Sequence, residues 1–152
     1  MRLIQRVADS WHLNHYLDYL EQNAGTFPLG ARNFALAHWH YDFKHKQCPH
    51  DSWLQELIVR MSTISSGEEL SSAAIHSTYL GAYHDGYHEI EYKQVSSYTI
   101  DMREMPSDWV IDEVTLENDG RVCHEIVFAE GTLIVRCQDL LYRWTSGRSS
   151  SF

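Results

Sequence analysis

The sequence lacks most of the features that identify an enzyme at sight. Its glycines are scattered through turns and never form a phosphate-cradling loop, and neither a G-x-S-x-G elbow nor an H-E-x-x-H pair occurs. P-loops, α/β-hydrolase nucleophiles and zincin helices are therefore not indicated. No stretch approaches the roughly 20 apolar residues that a membrane-spanning helix requires. Residues Met1 to Ser10 contain neither an apolar core nor a small-residue cleavage site, so no signal peptide is expected. Cysteine is sparse and odd in number: Cys48, Cys123 and Cys137. That count argues against a disulfide framework and for reduced thiols in a cytoplasmic setting. Cations are outnumbered too. Lys and Arg total 12 against 21 Asp and Glu, a net charge of −9. Nucleic acid would meet a repulsive average surface, whereas a basic protein would be drawn in.

What is present is an aromatic-rich chain able to fold. Its 152 residues, 43% of them hydrophobic, suffice for one domain with its own core. We read 1–145 as that domain and the serine-rich 146–152 as a disordered tail. The most constrained stretch runs from Trp109 to Trp144. Trp109 to Glu117 and Arg121 to Phe128 both alternate with period two, and Asn118-Asp119-Gly120 between them signals a hairpin. A three-residue loop ending on Gly120 pairs Leu116 with Val122, Val114 with His124 and Asp112 with Ile126; a two-residue turn would mix the faces. A second, two-residue turn at Glu130-Gly131 sets Phe128 opposite Leu133, Ile126 opposite Val135 and His124 opposite Cys137, with Glu125 beside Arg136. A bulge near Gln138-Asp139 then shifts the apolar phase to Leu140, Tyr142 and Trp144.

That register places Asp112, His124 and Cys137 together on the apolar face. They are candidate metal ligands or an acid–base pair. The plainer reading is a buried histidine held by a carboxylate, because a metal needs further ligands that the sequence does not supply.

Elsewhere the chain predicts a helix over Trp11 to Asn23, capped by Asp9 or Ser10 and stopped near Gly25. Ala31 to Trp39 follows as a second short helix. Trp53 to Met61 reads as a strand, Ser62 to Ser72 as a flexible connection and Ile75 to Ala82 as another strand. A loop at His84-Asp85-Gly86 sets Leu80 opposite Ile90 and Thr78 opposite Tyr92. A turn at Lys93-Gln94-Val95 then places Ile90 beside Tyr98 and His88 beside Ile100. The fold class is α+β: an N-terminal helical segment, then about seven mostly antiparallel strands in hairpin order, as a curved sheet, barrel or sandwich.

The densest polar–aromatic run is Trp39-His40-Tyr41-Asp42 with His45, Cys48, Pro49, His50 and Asp51. His38, His40, His45, Cys48 and His50 offer zinc-ligand chemistry, but in one loop without paired spacings on rigid elements. Catalysis is disfavoured on the same local grounds. Asp112 and Glu113 point to opposite faces of a strand, and His50-Asp51 beside Cys48 shows adjacency in sequence only. A non-enzymatic role is favoured, and no cofactor is implied.

Trp39-His40-Tyr41-Asp42, Cys48-Pro49-His50-Asp51-Ser52-Trp53, Gly81-Ala82-Tyr83-His84-Asp85 and His124-Glu125-Ile126 give the chain its resemblance to small β-rich bacterial proteins of unassigned function. It is similar in pattern to the immunity proteins of polymorphic toxins. The resemblance implies an acidic, cytoplasmic, non-enzymatic protein that blocks a basic toxin domain; it carries over no catalytic residue. The corresponding contact surface is Trp39, Tyr41, Asp42, Tyr83, His84 and Asp85, with acidic loops steering the partner and aromatics anchoring it. Each has a plainer reading as core edge or turn residue. A structural or accessory module and a metal-dependent enzyme using the histidine clusters are the alternatives.

Overall fold

The structure is a computed structural model describing residues 1, 3–63 and 71–147. Among these it has ten strands and two helices. The chain opens on a small hairpin, β1 (Gln5–Val7) and β2 (Ser10–His12), where a helix start was expected. Helix α1 (Asn14–Asn23) therefore begins three residues late. Asp9 and Ser10 do not cap it: Leu13 occupies the N-cap position without a side-chain bond. Tyr16 and Leu20, one turn apart, form its buried face. Helix α2 (Leu29–Ala35) is shorter than the predicted Ala31 to Trp39.

Eight strands build the body: β3 (Trp53–Thr63), β4 (Ser71–Leu80), β5 (Gly86–Val95), β6 (Ser97–Met102), β7 (Trp109–Leu116), β8 (Val122–Phe128), β9 (Gly131–Cys137) and β10 (Asp139–Ser146). They form two antiparallel four-stranded sheets, ordered β10-β5-β4-β3 and β6-β9-β8-β7. The strand count exceeds the expected seven, and the order is not a simple run of hairpins. The predicted Ser62 to Ser72 connection lies largely outside the described residues, as does 148–152 of the predicted tail.

The departure from hairpin order has one cause. Segments 86–102 and 131–146 run antiparallel along both sheets, as β5 with β10 and then as β6 with β9. The ribbon turns its corner at Gln94–Ser96 and Gln138, where Gln94 takes φ 48, Ser96 N donates to Arg136 O and Gln138 N donates to Lys93 O. The predicted turn at 93–95 and bulge at 138–139 are thus the two sides of one corner. Tyr98 and Ile100 face Val135 and Leu133, not Ile90 and His88.

The β7–β8 hairpin has the predicted register, with Gly120 at φ 83. The next hairpin is displaced by two residues. Phe128 faces Gly131, Ile126 faces Leu133 and His124 faces Val135, so Cys137 sits opposite Val122. The faces survive a two-residue shift, but Glu125 no longer meets Arg136, which bonds Glu117 at 3.0 Å. Glu113, directly opposite Glu125, instead accepts the amides of Leu3 and Ile4 at 2.9 and 2.8 Å. The β4–β5 register is also corrected: Leu80 faces Tyr87 and Thr78 faces Glu89. Tyr79, Ser77 and Ile75 line the core beside His88, Ile90 and Tyr92, while Thr78 is only half-buried. Trp144 fixes this end of the sheet, because a Cβ on Gly86 would lie 2.2 Å from its ring.

The inner faces pack on each other through rings such as Tyr79 against Trp109, 4.9 Å between centroids. Both helices lie beside sheet edges. Asp139, at the start of β10, accepts the amides of Gly30 and Ala31 and so caps α2 from a distant strand. No helix is long and apolar enough to cross a membrane among the described residues.

Candidate functional site

The segment after α2, residues 37–52, lies against the core through several buried side chains, His40 and Cys48 among them. His40 is 1% exposed and reaches the carboxylate of Asp112 on β7, with Nε2 2.8 Å from Oδ1. His124 on β8 approaches the same carboxylate, Nε2 to Oδ2, at 2.9 Å. The outer nitrogens are occupied too: His40 Nδ1 lies 2.8 Å from the Phe34 carbonyl and His124 Nδ1 2.7 Å from the Tyr92 hydroxyl. Tyr41 donates to Tyr16 Oη at 3.0 Å and lies 3.2 Å from Asp112 O. Tyr16 in turn donates to Val114 O.

Hydrogen-bond chemistry fixes the protons. A carbonyl only accepts, so His40 Nδ1 carries hydrogen, and the carboxylate requires donors from both imidazoles. Burial alone would raise the Asp112 pKa; the His40 charge and the bonds from both histidines outweigh it and hold the group well below the ordinary carboxylate value. His40 is then an imidazolium paired with ionised Asp112. His124 gives Nε2–H to Asp112, and its Nδ1 meets the Tyr92 hydroxyl. Burial, reinforced by the Asp112 charge, raises the Tyr16 and Tyr41 phenols well above their ordinary value, so both remain donors. The His40, Asp112 and His124 side chains are all buried.

This arrangement ties His40, and through it Phe34, to β7 and β8. Its nitrogens and carboxylate oxygens already face protein partners. Among the described residues no group of three or more His, Cys, Asp or Glu side chains is placed to hold a metal ion. The structure joins Asp112 to His124 directly, while Cys137 lies across from Val122, its thiol pushed up to about 12 by burial. The zinc-like run is dispersed. His40 points inward, Cys48 donates its thiol to His40 O, His50 Nδ1 bonds Val110 O, and the rings of His38 and His45 meet edge-on. A further buried histidine, His88, bonds Tyr142 at 2.9 Å; burial, then the His40 charge, lowers its pKa to about 3.

The same segment presents Asp42, Phe43 and Lys44 outward. Tyr41 and Asp42 line a groove of about 340 Å³ against α1, floored by Leu17, Leu20 and Leu36 and bearing Glu21 and His38. Asp42 and Glu21 are exposed. A larger cleft of about 630 Å³ holds Lys93, Arg121, Asp119 and Asp139. Its polar groups are largely engaged already, Asp139 with α2 and Arg121 with Gln94 O and Asp119.

Of the predicted contact residues, Trp39 turns inward, its ring 4.7 Å from Tyr142. Tyr83 is 63% exposed on the β4–β5 turn, and His84 beside it takes φ 56 with its ring 5.1 Å from Trp53. Asp85 is half-buried, and its carbonyl accepts Gly147 N. Near the first group, exposed Phe43 has its ring 4.8 Å from His50; near the second, Trp53 bonds Asp108. Sequence reasoning missed Leu17 and Glu21, although their i, i+4 spacing marks one helix face. It also missed His40 as the partner of Asp112, for which no local signal exists. No protein family, characterised protein or solved structure matches the chain.

Proposed function

We propose that the chain is a non-enzymatic binding protein for a basic protein partner, and that its concrete form is an immunity protein neutralising a basic toxin domain. One observation carries the reading: the groove bearing Tyr41 and Asp42 combines an apolar floor with exposed carboxylates at Asp42 and Glu21. A lysine or arginine suits such a site, its methylene stem against Leu17 and Leu36 and its charge between the acids. The net charge of −9 adds long-range attraction, which raises the association rate more than the affinity. Tyr83 and His84 extend the surface beyond Trp53. The inward network supplies the rigidity, since an interface held in its bound shape loses less entropy on association.

The test is co-expression with a basic toxin domain sought in the neighbouring genes, following host growth and complex formation. Wild type restores growth, and the double reversal Glu21→Lys with Asp42→Lys does not. Equal rescue by the reversal, or no complex between the two purified proteins, contradicts the reading.

A further inference from the structure

Among the described residues, three of the four edges of the two four-stranded sheets carry a protection against pairing with other chains; the fourth does not. On β7, Val114 N and Leu116 N donate to the hydroxyls of Tyr16 and Tyr19 at 2.7 and 2.9 Å. On β10, α2 lies so close that a Cβ on Gly30 would sit 1.9 Å from Leu140 O. On β3, the register breaks between Leu54 and Glu56, Trp53 bridges to Asp108, and Glu56 and Arg60 are exposed charges. Among the described residues strand β6 has neither cover nor bulge, and its one charge is Asp101.

The β6 side chains are also unusual for their position. Tyr98 and Ile100 pair with Val135 and Leu133, both fully buried, so they share the inner face of the sheet. Yet they are 45% and 41% exposed. Arg103 N donates to Glu130 O at 2.8 Å, in line with the β6–β9 register. Odd-numbered residues therefore bond β9, and the N–H and C=O groups of Tyr98 and Ile100 point from the open edge.

We propose that β6 pairs antiparallel with β6 of a second copy, on a two-fold axis through Thr99, extending the sheet to eight strands. Matching the faces selects the register. With the axis at Thr99, Tyr98 lies opposite Ile100 of the second copy, using the outward backbone groups of both. Asp101 lies opposite Ser97 of the second copy, and Arg136 pairs with Ser97 on that same face. Each Asp101 carboxylate thus faces, across a small residue, the Arg136 guanidinium that also bonds Glu117, and no like charges meet along the seam. A one-residue slip would put Tyr98 opposite Asp101. An axis at Ile100 would keep the faces but set Asp101 in a row with Thr99 and Ile134, where no cation waits. This pairing is independent of the groove and of the basic partner.

Sedimentation equilibrium of the full chain tests the proposal. The expected mass at high concentration is twice 17.7 kDa, dissociating on dilution, and Ile100→Lys returns the single-chain mass with an unchanged far-UV spectrum. Thr99→Cys supplies a second readout. Directly opposed residues of a non-hydrogen-bonded pair lie about 4.5 Å apart at Cα, within disulfide reach, so mild oxidation yields a reducible covalent dimer. The native cysteines are all buried. A single-chain mass at every concentration with no Thr99→Cys cross-link overturns the proposal. So does a dimer indifferent to Ile100→Lys, or cross-linking through Ile100→Cys in place of Thr99→Cys.

Discussion

Two histidine–aspartate groupings in this chain share a chemistry and differ in setting. His40, Asp112 and His124 lie inside, their side chains 0–3% exposed, with hydrogen bonds of 2.8–2.9 Å. His50 and Asp51 lie 3.5 Å apart at the surface, 33% and 59% exposed. Inside, an unmatched charge has no water to turn to, so each partner becomes obligatory. Outside, water competes and the pair contributes little to stability. Residues 37–52 belong to both worlds: His40 points into the first, while Asp42, Phe43 and His50 face the second. The comparison assigns fold stability to the inner grouping and leaves the outer surface free to change its contacts.

Breaking the inner grouping should cost most. Asp112→Ala leaves an imidazolium uncompensated and is expected to destabilise the fold by about 4–5 kcal/mol in denaturant melts, the upper end for a broken buried pair. Acid should sharpen the contrast. His88 is lowered to about 3 from an ordinary 6.5, so the unfolded chain binds the extra proton first. Stability is full above about pH 6.5 and falls as pH drops towards 3, on the order of 4 kcal/mol in all. Asp112, whose carboxyl is held low, adds its own loss below about pH 4. His88→Phe should flatten the slope between pH 6.5 and 4 in pH-resolved melts while leaving the steeper fall below.

Tyr16→Phe removes the hydroxyl that serves Val114 and Tyr41, at an expected ~1–3 kcal/mol by thermal melting. The smallest effect belongs to the surface. Asp42→Lys should shift stability by no more than ~0.5 kcal/mol while weakening capture of a basic partner and the salt dependence of its on-rate. A large stability loss there would erase the distinction between the two regions.

The legible parts of the fold were those where local chemistry and face matching agree. Asn118-Asp119-Gly120 fixes the β7–β8 register because only one loop length keeps Val114 and His124 on one face. That register already brings Asp112 beside His124. The β4–β5 register escaped because its connection is longer than His84-Asp85-Gly86, with Gly81 N bonded to Gly86 O and His84 at positive φ. The corner at Gln94–Ser96 looks like a hairpin turn in sequence, since a strand that changes sheets breaks the apolar pattern just as a turn does. Two further features were unreadable for a common reason. Asp139 caps α2, and His40 completes the Asp112 site, from 108 and 72 residues away. Such partners have no spacing rule.

The central claim is that the His40–Asp112 pair holds residues 37–52 against the sheets. Hydrogen exchange of His40→Gln beside wild type tests it most directly. Within this segment His40 N, Asp42 N, His45 N and Cys48 N bond neighbouring carbonyls, and Asp51 N bonds Trp109 O on β7. The account predicts that these amides lose protection in the variant while those of β8 and β9 keep theirs. Unchanged protection across 37–52 would contradict it, and the contact surface would then owe its shape to packing alone.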